Sequence, residues 1–135
     1  MNLIDTVFWL CLTVYYEARG ESATGQKAVC KVILNRAKAK GWPVKNIVHS
    51  KKQFSCYNDG LSASLLHIKN IPKLVEIHET VQRAIQEWSA GDTLRGATHY
   101  YAIKGMVNNK PPWWVNSDKM KFIVEIEGHR FLREG

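Results

Sequence analysis

A single glutamate, Glu17, closes a mostly apolar stretch near the start of the chain and opens the run Tyr16-Glu17-Ala18-Arg19-Gly20-Glu21. Leu3, Val7, Leu10, Cys11, Val14 and Tyr15 recur at steps of three and four, which predicts a helix over residues 5–18, capped by Asp5 or Thr6 and ended by Gly20. Glu17 then lies in the last turn. There the partial negative charge of unpaired carbonyls opposes ionisation, and flanking tyrosines keep water away. A carboxylic acid kept protonated near neutral pH is what glycosidic cleavage requires, because the leaving oxygen must receive a proton as the bond breaks. On local residues alone, the same glutamate also reads as a surface group at a helix end.

Ordinary glycosidases need a second carboxylate, roughly 5 Å from the acid in retaining enzymes and roughly 6.5–9.5 Å in inverting ones. Glu21 and Asp59 are the candidates. Gly20 bends the chain between Glu17 and Glu21, so a shared helical face does not follow. Asp59 belongs to Tyr57-Asn58-Asp59-Gly60, a strong turn signal. Two other chemistries are weighed. The five histidines show no HxxxH or HExxH spacing, so neither a metal nor any other cofactor is expected. Cys56 with His99 would make the thiol and base of a cysteine amidase, but Ser55-Cys56-Tyr57 lacks the helix start that activates such a thiol.

The elements that must position these groups follow from periodicity. A second helix is predicted from about Thr24 to Ala39, with Ala28, Val29, Val32 and Ile33 inward, Lys27 and Lys31 outward, and Gly41 past its end. Trp42 to Ser50 reads as a connector with a short helical turn, and Lys51 to Ser64 as a long polar loop at the rim of a cleft. A third helix should start at Pro72 and run to Trp88, with Gly91 breaking it. β-like stretches occupy Thr98 to Ile103 and Phe122 to Ile126, separated by Pro111-Pro112. The fold class is therefore α+β and mainly α-helical, a single domain over residues 1–135 with a small β-containing segment.

The formal net charge is +7, spread along the chain with no polybasic block. Such a charge suits polyanionic partners at low salt, a bacterial envelope among them; it also suits nucleic acid, the alternative partner in a non-enzymatic reading. No apolar run reaches membrane-span length, so no stable membrane insertion is expected, and no export signal is visible, which places synthesis in the cytoplasm. Of three cysteines, Cys11 and Cys30 fall on apolar helix stripes and read as reduced core residues.

Read together, Tyr16-Glu17-Ala18-Arg19-Gly20-Glu21, Gly25-Gln26, Val32-Ile33-Leu34-Asn35-Arg36, Gln53-Phe54-Ser55, Ala97-Thr98-His99-Tyr100-Tyr101-Ala102 and Gly128-His129-Arg130-Phe131 resemble the cell wall hydrolases typified by the spore cortex-lytic enzyme SleB. Pro111-Pro112-Trp113-Trp114 falls where that family carries a proline and tryptophan. The resemblance implies a lysozyme-like domain that cuts peptidoglycan glycan strands, with Glu17 as the acid. It favours a lytic transglycosylase, which needs one carboxylate, over a hydrolytic muramidase with Glu21 as second carboxylate. Gln53 and Ser55 would then hold an N-acetyl group with Phe54 packing the other way, and Thr98, Tyr100 and Tyr101 would bond or stack on sugars. The last three read equally well as a β-segment with its hydroxyls satisfied locally. Trp113 and Trp114 are candidate cleft residues, one of them core, and Arg19 is structural. Peptidoglycan is the expected partner rather than nucleic acid, the protein is expected to act as a monomer on the bacterial wall, and the setting expected is a phage endolysin, with a bacterial spore or remodelling enzyme as the runner-up.

Overall fold

The computed structural model describes residues 2–50, 54, 65–103 and 110–135. Four α-helices come first in weight: α1 (Leu3–Ala18), α2 (Ala23–Lys40), the short α3 (Val44–Val48) and α4 (Ile71–Ser89). Three strands follow, β1 (His99–Ala102), β2 (Met120–Ile126) and β3 (His129–Glu134), in an antiparallel sheet of order β1-β3-β2. The α+β class holds, with helices dominant.

Helix α1 starts earlier than the sequence predicts. Asn2 is its cap, with Oδ1 accepting from the Asp5 amide at 3.1 Å, and Asp5 sits inside the first turn. An Asn side chain satisfies one of the orphan amides of a helix start as well as Asp or Thr does, so the apolar repeat that begins at Leu3 marks the true first turn and the cap expected at Asp5 or Thr6 falls inside it. From Leu10 to Tyr15 every residue is buried. A helix buried all round lies at the centre of its bundle, and α1 packs against α2, α3 and α4.

Helix α2 is capped by Ser22, whose hydroxyl accepts from the Gly25 amide, and stops at Gly41 in the left-handed region. Its two faces enter two cores. Val29, Cys30, Ile33, Leu34 and Ala37 join α1, α3 and α4, whereas Ala28 and Val32 meet Ala97 and Phe131 of the sheet side. The expectation that Lys27 and Lys31 face out is corrected. Lys31 is only 5% exposed. Its Nζ lies 2.8 Å from Glu87 Oε1 and 3.0 Å from Asp92 Oδ2, and Lys27 Nζ reaches Glu87 Oε2 at 2.7 Å. The carboxylates that draw these lysines inward stand on and just after α4, about sixty positions away, where helical periodicity gives no sign of them. Burial pulls the Lys31 ammonium down, and the bonds to Glu87 and Asp92 more than reverse it, so its pKa ends raised.

Asn35 ties the layers. Its Nδ2 donates to the Thr93 and Ala97 carbonyls at 2.8 Å each, and its Oδ1 accepts from Trp88 Nε1 at 2.8 Å. Cys11 and Cys30 are buried and unbridged, and burial pushes the Cys11 thiol up to about 12. Cys30 is raised by burial too. Neither is a ready nucleophile.

The sequence reading assigns two β-stretches, but the sheet has a third, and that one, β3, is central. It joins β2 through Glu127-Gly128, a two-residue hairpin with φ of 50° and 82°, both in the left-handed region. Ile123 is the extra residue of a bulge between Phe122, paired with Leu132, and Val124, paired with Phe131.

Candidate active site

Glu17 occupies the last turn of α1 and is half-buried. The residues around it explain why the chain turns where it does. The Glu21 amide donates to the Ala18 carbonyl at 3.0 Å, and the buried Gln26 sends Nε2 to the carbonyls of Ala18 (3.1 Å) and Glu21 (3.3 Å). Gln26 thereby satisfies carbonyls that the end of α1 leaves orphaned, and fixes the angle between α1 and α2. Gly25 sits where a Cβ would lie 3.3 Å from Glu21 Cβ and 3.4 Å from Glu127 Oε2. The Gly25-Gln26 pair is thus a spacing device for the Glu17–Glu21 turn. Before that turn, Tyr15 is buried and accepts at its hydroxyl from the Asn70 amide (3.3 Å), with Tyr16 edge-on to it and the Arg19 guanidinium 5.0 Å over its ring.

The sheet reaches the same turn. His129 Nδ1 is 3.7 Å from Glu21 Oε1, and Glu127 Oε2 accepts from the Ser22 amide at 3.2 Å. Hydrogen bonding from the Ser22 side chain, and then from its amide, holds the Glu127 carboxyl below its usual range. The Tyr100 ring stacks on Phe131 at 5.5 Å and lies 5.9 Å from His129. Three motifs distant in sequence, around Glu21, Tyr100 and His129, therefore meet beside the end of α1.

The other sequence-derived site residues scatter. Tyr101 packs edge-on against Trp114 at 6.0 Å and His99 lies 5.0 Å from the same indole, while Tyr100 packs with Phe131 and His129. Strand alternation sends consecutive side chains to opposite faces, so Tyr100 and Tyr101 cannot serve one subsite. The Thr98 hydroxyl is satisfied locally, within 2.9 Å of His99 Nδ1 and accepting from the Glu134 amide at 2.9 Å. Phe54 is buried in the helical core. Trp114 is half-buried and Trp113 is 89% exposed. Gln53, Ser55, Cys56 and Asp59 lie outside the described residues. Sequence reasoning did not single out Gln26, Glu127 or His129 as members of this cluster; the motif around His129 was the available signal, but its partner Glu21 is more than a hundred residues away.

Comparison with known proteins fits this arrangement. Residues 20–132 match the family described as Cell Wall Hydrolase. The chain belongs to the cell wall hydrolase family. It is therefore a wall-cleaving enzyme, built on the SleB-like fold: among solved structures it matches the catalytic domain of the germination-specific lytic transglycosylase SleB from Bacillus anthracis, at 25% identity and a TM-score of 0.72, covering 96% of this chain and 94% of that one. No curated protein sequence matches it. The family match starts at Gly20, just past Glu17, whereas the structural match takes in nearly all of the wall hydrolase chain, α1 included.

Proposed function

We propose that this wall hydrolase cleaves the glycan strands of peptidoglycan as a lytic transglycosylase between N-acetylmuramic acid and N-acetylglucosamine, with Glu17 as acid and then base. The observation that carries the reading is the place of Glu17: a half-buried carboxyl on the final turn of the central helix, held at that angle by Gln26, in a fold shared with a lytic transglycosylase. Glu17 gives its proton to the bridging oxygen as the C1–O bond breaks. The 2-acetamido group of the substrate stabilises the developing positive charge at C1. The carboxylate then takes the proton of the C6 hydroxyl of the same muramic acid as O6 bonds to C1, which closes a 1,6-anhydro ring and restores the acid. No water is consumed. Tyr100 and His129 stand beside the turn that carries Glu17 and supply aromatic and polar walls there.

A hydrolytic muramidase is the second reading, and the Glu21–His129 contact favours it to the extent that it orients a second carboxyl near the turn. Mass analysis of glycans released from purified peptidoglycan separates the two. Termini of 1,6-anhydro-N-acetylmuramic acid, one water lighter than hydrolytic products, are expected, and Glu21→Gln should keep the anhydro product. Reducing N-acetylmuramic acid as main terminus, lost in Glu21→Gln, would overturn the transglycosylase assignment. Free peptide stems with uncut glycans would overturn both and return the chemistry to Cys56 and His99.

A further inference from the structure

Two adjoining concavities, of about 580 and 320 Å³, share Arg36 and Lys40 at the C-terminal end of α2. The larger continues over Trp42, Lys45, Asn46, His49 and Ser50. The smaller runs toward Thr98, His99 and Glu134 at the sheet edge. Glu17 lines neither, so this groove is separate from the site described above. Its charge is one-sided. Arg36, Lys40 and Lys45 line it, and Glu134, whose charge acts on Arg36, is the one carboxylate among the lining residues.

The lysines here differ from those deeper in α2. Lys27 and Lys31 are neutralised by Glu87 and Asp92, whereas among the described residues neither Lys40 nor Lys45 forms an ion pair. Their ammonium groups instead sit over aromatic rings, Lys40 4.7 Å from the Trp42 centroid and Lys45 5.8 Å from that of Trp9. The Trp9 ring is also edge-on to His49 at 4.7 Å. The His49 Nδ1 faces the Lys45 carbonyl at 2.7 Å. Cations held over aromatic faces and free of carboxylates retain their attraction for an external anion.

We propose that the Arg36–Lys40–Lys45 groove binds the phosphodiester backbone of a single-chain anionic wall polymer, of the polyol phosphate class, and so holds the enzyme on the envelope apart from its glycan site. Two features favour that occupant over nucleic acid. A duplex is too thick to enter a concavity of this size. A single nucleic-acid strand binds chiefly by stacking bases on open aromatic faces, and here Lys40 covers a face of Trp42, the aromatic residue lining the larger concavity. A thin chain of repeating phosphates needs only spaced cations. The family acts on cell walls, and bacterial envelopes are polyanionic.

The test is equilibrium binding of the full chain to poly(glycerol phosphate), to single-stranded DNA of equal phosphate count, and to inorganic phosphate as competitor, over a salt series. Lys40→Gln/Lys45→Gln is compared with Lys119→Gln/Lys121→Gln, which removes the same charge from exposed positions on the sheet side. Both lysines of the first pair are exposed, so folding is preserved, and thermal melting checks it. The expected result is a loss of about tenfold in polymer affinity for the groove pair, with the salt slope falling by about one or more, and less than about threefold for the control pair. Equal losses in both pairs would show attraction by net charge alone and overturn the site. Tighter binding of single-stranded DNA with the same Lys40/Lys45 dependence would make it a nucleic-acid site. Inorganic phosphate binding as tightly, per site, as the polymer would reduce it to an isolated anion pocket. None of these outcomes depends on which bond the Glu17 site cleaves.

Discussion

Replacing Lys31 by Met keeps most of the buried stem and removes only the charge, which isolates the ion cluster between α2 and α4. Breaking a fully buried pair costs about 3–5 kcal/mol, but here the partners are partly wet, with 34% of the Glu87 and 64% of the Asp92 side chain exposed. Lys27 also stays on Glu87 at 2.7 Å. The expected loss is therefore about 2 kcal/mol at neutral pH, read by urea unfolding of the purified protein. A pH series sharpens the test. The bonds from Lys27 and Lys31 hold the Glu87 carboxyl at about 2, against an ordinary 4.5. A carboxyl lowered that far is favoured by roughly 3 kcal/mol before screening, and by about 1–2 kcal/mol after discounting for its exposure. Because the folded state binds this proton less readily than the unfolded state, the contribution is complete above 4.5 and fades as pH falls toward 2. The parent should thus lose stability as pH falls from about 4.5 toward about 2, and Lys31→Met should lose less over the same range because the pair is already weakened. A Lys31→Met protein within about 0.5 kcal/mol of the parent at neutral pH, with an unchanged pH slope, would refute the reasoning.

Glu17→Gln should abolish wall lysis with melting unchanged, because the near-isosteric amide cannot donate a proton of suitable acidity, and Glu17→Asp should be poor because the shorter chain withdraws the acid; turbidity loss of purified walls reads both. Asn35→Ala removes the partner of the Trp88 indole N–H and one hydrogen bond from each of the Thr93 and Ala97 carbonyls, the Thr93 carbonyl keeping the Gly96 amide, and a destabilisation of about 2–3 kcal/mol in urea unfolding is expected. Phe131→Ala, at the centre of the sheet-side core, should cost about 3–5 kcal/mol by the same assay.

Much of this molecule was legible in its residues because the helices are specified locally. Ser22 and Gly41 bracket α2 as capping rules expect, and Pro72 lies at the start of α4, although Asn70 is its cap. What escaped is set by distance in the chain. The inward turn of Lys31 depends on Glu87 and Asp92. Strand β3 hid because Phe131 and Leu132, its two buried residues, are adjacent and break the alternation a half-buried strand should show; the bulge at Ile123 shifts the register opposite them. The hairpin at Glu127-Gly128 did carry a turn signal, though with Glu where Asn or Asp is usual, and its reason lies in the Ser22 amide a hundred residues away. For the site, the motif order led to Glu17 and Glu21, and strand alternation already parts Tyr100 from Tyr101, but which of the two meets His129 is set by pairing with β3, about thirty residues on.

The strand order β1-β3-β2 also bears on how the chain is made. On a ribosome β1 emerges well before its neighbour, and its edge has nothing to pair with until β3 follows β2 out. The β2–β3 hairpin, closed by two residues, assembles on the microsecond scale once both strands are present, and β1 then joins a ready-made template. Until that moment the sheet-facing side of α2, with Ala28 and Val32, lacks Phe131 and stays uncovered. His129 likewise reaches Glu21 only with β3 in place. A nascent chain stalled before β3 would therefore carry its helices but neither the sheet-side core around Phe131 nor the His129–Glu21 contact.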